Sequence, residues 1–171
     1  MPELKPVEAA GWLLDVNDNF DDLAPLIGGD ADGLGVLRVA RFTFDSAGTD
    51  SADADNSATG AHGTDVTLPI HALVVGGFVD VNTAFTSENT NNATIAISVQ
   101  AANDIISAAA VSGSPYSTIG RKAIVPKANT PESTSVKTTA AREITCTVAT
   151  SALTAGKLTG YLYYVEGVAS A

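Results

Sequence analysis

The stretch GFVDVNTAFTSENTNNATIAISV (77–99) decides the fold. In its first part Val79, Val81, Thr83 and Phe85 fall on one side of an extended chain, and Phe78, Asp80, Asn82 and Ala84 on the other. Alternation with period two is the signature of a strand with one face in the core and one toward water. After the polar run TSENTNN (86–92), the pattern resumes with Ile95, Ile97 and Val99 against Thr94, Ala96 and Ser98. Two alternating runs joined by a short polar segment read as a hairpin. The same grammar returns in EITCTVA (143–149), where Ile144, Cys146 and Val148 oppose Glu143, Thr145 and Thr147. A turn-like TAGK (154–157) then leads to LTGYLYYVEG (158–167), in which Leu158, Leu162 and Tyr164 oppose Thr159, Tyr161, Tyr163 and Val165.

Working outward, VLRVARFTFD (36–45) has strand composition, NDIISAAAV (103–111) reads as irregular or strand-like, and one short strand is expected near 122–125. Repeated half-buried strands across a hundred residues predict a mainly β protein, an antiparallel β-sandwich or jelly-roll-like domain. The body is expected over 36–171, with a polar acidic loop at 46–65 and a long loop at 112–135. SAGTDSADADNSATGAHGTD (46–65) has no large apolar residue, so it reads as a surface excursion that buries almost nothing. Residues 1–35 form the other unit, an N-terminal arm containing a short helix: Leu13, Val16, Phe20, Leu23 and Ile27 recur at spacings of three and four and share a helical stripe. With Trp12 they are the candidate partner-binding residues of the arm.

Size and charge narrow the function. By area scaling, 171 residues bury about two-thirds of the unfolded surface, enough for a core. No apolar run approaches the roughly 20 residues that cross a bilayer, and the start, MPELKPVEAAGWLLDVNDNF, lacks the basic and apolar regions of a secretory leader. Neither a membrane nor a signal peptide is expected. Residues 1–65 carry thirteen Asp/Glu and three Lys/Arg, whereas 66–171 carry six of each, so the net charge of −10 belongs to the N-terminal third. Arg121, Lys122 and Lys127 are too few to neutralise a phosphate backbone, and no nucleic acid is expected as a partner.

The search for chemistry returns little. No G-x-S-x-G, H-E-x-x-H, Walker or G-x-G-x-x-G pattern is present, and no catalytic residue and no cofactor are expected. His62 falls in the polar loop and His71 at a strand start, where ordinary hydrogen bonding is the simplest role. Cys146, the single cysteine, reads as a small buried hydrophobe. Asp50, Asp53, Asp55, Asn56 and Asp65 offer the hard oxygens that calcium takes, yet lack the spacing of an EF-hand, and a solvated acidic loop with no metal is the expectation. The acids of the neutral part, Asp80, Glu88, Asp104, Glu132, Glu143 and Glu166, sit mostly at loop or outward positions rather than as a paired acid and base. Tyr161, Tyr163 and Tyr164 fill the two faces of the last strand, with stacking on sugars as the alternative.

Beyond these patterns, VNDNFDDLA (16–24) is similar to the N-F-x-x-L segments near the start of tailed-bacteriophage appendage proteins. The stretches 68–99 and REITCTVATSALTAGKLTGYLYYVEG (142–167) resemble small phage virion proteins of the head decoration, cement or fibre-like kind. The resemblance covers about a hundred residues. It implies a sandwich or jelly roll on the capsid surface of a virion, commonly a homo-oligomer with the trimer favoured. The major capsid protein or another virion protein would be its partner, and the N-terminal segment its anchor. The alternative function is a glycan- or cell-surface-binding module of a fibre or tail.

Overall fold

A computed structural model describes residues 37–126 and 135–166. Eight strands run in chain order: β1 Leu37–Asp45, β2 Gly60–Leu68, β3 Leu73–Ser87, β4 Thr94–Ser98, β5 Ile106–Ala110, β6 Gly120–Ile124, β7 Arg142–Ala149 and β8 Leu153–Val165. They form two antiparallel four-stranded sheets, ordered β1-β8-β3-β6 and β2-β7-β4-β5. The first strand pairs with the eighth, the second with the seventh, the third with the sixth and the fourth with the fifth. This is one long antiparallel ribbon rolled up so that its paired strands alternate between two layers, the arrangement of an eight-stranded jelly roll. The expected sandwich is therefore present.

The core lies between the layers. From the first sheet come Ala40, Phe42, Phe44, Val79, Val81, Phe85, Leu158 and Leu162; from the second come Ile95, Ile97, Ile144, Cys146 and Val148. The alternation read from 143–149 holds, and burial pushes the Cys146 thiol up to about 12, which keeps it protonated and unreactive at neutral pH. Thr83 departs from the pattern. It is exposed, because the β3–β8 register shifts between Val81 and Thr83 and again before Thr86, and these irregularities take Thr83 off the inner face.

Two expected hairpins are corrected. β3 lies in one sheet and β4 in the other, so 86–92 crosses between layers instead of turning back on itself. It does so through a helical turn, Glu88–Asn91, in which Asn89, Thr90 and Asn91 adopt positive φ. β7 and β8 are divided in the same way, and TAGK is not a turn but part of β8. The two crossings lie side by side and are tied by polar groups: Ser151 Oγ donates to Asn92 Oδ1 at 2.7 Å, and the Glu88 amide donates to the Ala152 carbonyl at 3.1 Å. Among the described strands, β4 and β5 are the only consecutive pair in one sheet.

The loop 46–65 is also corrected. Its last six residues belong to β2, which pairs with β7, and the remainder is fastened down from within. His62 is buried, its Nε2 2.9 Å from the Ala58 carbonyl and its Nδ1 3.2 Å from Asp50 Oδ2, with its ring near that of Phe44. Asn56, also buried, donates from Nδ2 to the Asp45 carbonyl at 3.1 Å. Polar side chains here replace the apolar ones that normally pin a segment.

Tyr116 anchors the described start of the long 112–135 segment. Its ring is wholly buried, edge-on to Phe85 with centroids 5.6 Å apart, and its hydroxyl has no hydrogen-bond partner. Burial first, and the nearby Cys146 second, push its phenol well above the ordinary range. A buried, unsatisfied hydroxyl costs stability, so Tyr116→Phe is expected to stabilise the fold by about 1 kcal/mol. The urea midpoint reads this directly, and a fall would mean that the hydroxyl has a partner.

Candidate interaction surface

The first sheet turns its inner residues to the core and leaves the other face outward. Alternation along β1 exposes Val39, Arg41 and Thr43 while Ala40, Phe42 and Phe44 go inside. Across the pairing, Val39 stands opposite Tyr163, Arg41 opposite Tyr161 and Asp45 opposite Lys157. β3 adds Phe78 opposite Tyr161, and β6 adds Arg121 opposite Asp80. Sequence reading gave the tyrosines to both faces of β8, and the structure divides them: Tyr164 packs against the core, whereas Tyr161 and Tyr163 lie half-buried on the outer face.

Those outer side chains are ordered by one another. Phe78 stacks on Tyr161 with centroids 4.6 Å apart, meets Tyr163 at 6.1 Å edge to face, and carries the Arg121 guanidinium 4.3 Å from its centroid on β6. Arg121 in turn donates from Nε and Nη2 to the two Asp80 carboxylate oxygens, at 3.0 Å each. A fork-to-fork pair restrains the guanidinium and so helps hold it over the ring. Tyr161, Phe78 and Arg121 thus form a stack across three neighbouring strands.

The polar and charged groups elsewhere do structural work. Asp104 is buried, not outward as its sequence context indicates, and its carboxylate accepts from the amides of Val99, Gln100 and Ala101 at 2.8–2.9 Å. His71 sits in the turn before β3 with φ 64°, and its amide donates to the Thr138 carbonyl at 3.0 Å. Asp50 accepts from the amides of Ala52 and Ala54, Asp55 from that of Ser57, and the Glu143 carboxylate accepts from the Asp65 amide. Oδ1 of Asp50 and Oδ1 of Asp55, two of the candidate calcium oxygens, thus accept from the loop's own backbone, and among the described residues no cluster of three metal-ligating side chains occurs. The arm residues Trp12, Leu13, Val16, Phe20, Leu23 and Ile27 lie outside the described residues.

Four aspartates titrate below the ordinary carboxylate range, each for a visible reason. Hydrogen bonds from Lys157 lower Asp45, those from the Ala54 and Ala52 amides lower Asp50, that from the Ser57 amide lowers Asp55, and those from Arg121 lower Asp80. A carboxylate depressed by folding stabilises the fold above its unfolded pKa of about 4, and that contribution is lost as pH falls through the lower folded value. The melting temperature is accordingly expected to hold from neutral pH to about 5 and to fall below about 4. Calorimetry across that range checks it, and an unchanged midpoint at about pH 3 would contradict it.

Solved structures similar to this chain share its fold. A chain of the cyanophage Pam1 capsid asymmetric unit aligns with TM-score 0.52 and 17% identity over 96% of this chain and 99% of that one. A chain of the Ralstonia phage GP4 capsid aligns with TM-score 0.53 and 16% identity over 82% and 90%. A chain of the acid-stable capsid of Helicobacter pylori bacteriophage KHP30 aligns with TM-score 0.50 and 13% identity over 76% and 87%. At such identities the likeness is one of fold. No protein-family model matches the chain, and no curated protein does.

Proposed function

We propose that the protein is a structural, non-enzymatic component of a phage virion that decorates or cements the capsid surface through oligomeric contacts with the major capsid protein. The observation that carries this reading is the likeness to a chain of the Pam1 capsid asymmetric unit over 96% of this chain and 99% of that one. The order of the eight strands and the ordered outer face support it. The chain acts as a homo-oligomer, for which the sequence resemblance favours a trimer. Its arm, residues 1–35, attaches it through Trp12, Leu13, Val16, Phe20, Leu23 and Ile27. Many weak contacts repeated over a shell add up to firm attachment.

Quantitative mass spectrometry of purified particles tests the reading: the chain is expected in copy number comparable to the capsomers. Its presence only in the soluble fraction would rule the reading out. Since every strand among the described residues begins at or after Leu37, deletion of residues 1–29 is expected to leave the body folded and to abolish attachment. A truncated chain that still decorates particles would transfer the docking role to the sandwich.

The glycan-binding alternative has one observation in its favour, the outward Tyr161 and Tyr163. Sugars stack on open ring faces, however, and Phe78 has Tyr161 on one side and Arg121 close over its ring. Loss of glycan-array binding in Tyr163→Ala would support it.

A further inference from the structure

The outer face of the β1-β8-β3-β6 sheet combines apolar exposure, ordered side chains and neutralised charge, and we infer that it is the surface by which one copy of this chain binds a second copy. The inference rests on the oligomeric shell component proposed above; like faces meeting across a two-fold axis close a pair, so the contact inferred here is a pairwise one, separate from the threefold association that the sequence resemblance favours. Leu37 and Val39 are 59% and 55% exposed at the rim beside Tyr163, and Val125, just beyond β6, is 70% exposed. Single exposed apolar residues are ordinary on a monomer, but a strip of them continuous with aromatic rings marks an interface. The stack of Tyr161, Phe78 and Arg121 is already held in place, so docking immobilises few further rotamers.

Charge selects the partner. Each copy carries a net charge of −10, so copies repel over most approaches. On this face Asp45 is paired with Lys157 at 2.8 Å and Asp80 with Arg121 at 3.0 Å, while Arg41 has no ion-pair partner among the described residues. Two acids against three bases leave +1 on this face, against a net of −10 for the chain. Arg41, opposite Tyr161, brings a guanidinium to a contact otherwise rich in rings, and such groups attract each other when water is excluded. Size is consistent as well. Four strands about 4.8 Å apart and nine residues at about 3.3 Å each give a face of roughly 600 Å² in plan. Side-chain relief brings that to the order of the ~800 Å² per partner of a stable interface.

Sedimentation velocity and native mass spectrometry on the full chain test this, with quantification in particles alongside. Wild type is expected as an oligomer, and the double variant Leu37→Glu/Val39→Glu is expected to raise the dissociation constant at least 100-fold with its unfolding midpoint retained. Should the double variant fail to fold, Tyr163→Ser, which removes a half-buried ring without adding charge, is expected to weaken association at least tenfold. A folded variant that associates as tightly as wild type overturns the inference, as does a wild type that stays monomeric at tens of micromolar yet binds capsids through this face. A wild type that associates through the face but is absent from particles leaves the inference standing and removes the shell-component reading.

Discussion

Replacing Gly156 by alanine is expected to cost about 4 kcal/mol, a large fraction of the roughly 5–15 kcal/mol that holds an ordinary domain together. Two penalties coincide at this position in β8. Its φ is +140°, a backbone conformation that residues with a Cβ rarely adopt, with a strain of about 1–3 kcal/mol. A Cβ there would also fall inside the van der Waals envelope of the Phe85 ring. Phe85 cannot yield easily, because it stacks on Phe44 with centroids 6.1 Å apart and meets Tyr116 edge-on. Forcing such a ring aside costs roughly 1–3 kcal/mol. Gly160→Ala isolates the steric part: its Cβ would strike the buried ring of Phe42, but its φ carries no such strain, and about 2 kcal/mol is expected. Urea unfolding of the two variants ranks them. Gly156→Ala within about 1 kcal/mol of wild type would show that neither the conformation nor the ring contact is held in solution.

Asp104→Ala comes next, at about 3 kcal/mol. A single carboxylate satisfies the amides of Val99, Gln100 and Ala101, which otherwise lose their acceptor in a place where the side chain is shielded from water. Bonds to a charged group contribute about 1.5–3 kcal/mol each, and three on one residue are not additive. The loss is local, because Asp104 closes the connection between β4 and β5, and β5 pairs with β4 alone. Amide exchange at Val99, Gln100 and Ala101 should therefore accelerate before global unfolding does. Asp104→Asn, which keeps one acceptor oxygen, should recover part of the difference. Exchange that rises uniformly over the whole sandwich would argue against a local cap.

Much of this body was legible from spacing. The inward set Ile144, Cys146 and Val148, the strand at 36–45 and a short strand near β6 followed from alternation and composition, as did a sandwich in place of a helical or parallel fold, whereas the segment of β5 was left open between irregular and strand-like. The aromatic surface was only half legible. Period two places Tyr161 and Tyr163 on the face opposite Leu162, but that this face is the outer one, and that Phe78 and Arg121 join it, depends on β3 and β6 lying next to β8. His62 was illegible, since GAHGTD (60–65) has no large apolar residue; it enters a sheet because β7 supplies the pairing and Asp50 and Ala58 satisfy the ring.

The sequence by itself determined the inward side of a cleanly alternating strand such as β7, because that depends only on a two-residue repeat within one segment. The tertiary structure alone decided which strands pair: the polar run 86–92 crosses from one sheet to the other, and Ser87 pairs with Leu153, sixty-six positions away, rather than with β4. A short polar connection is chemically suited to either course. The choice falls to the union of two apolar faces, which buries the side chains of both sheets at once and is a property of the assembled layers.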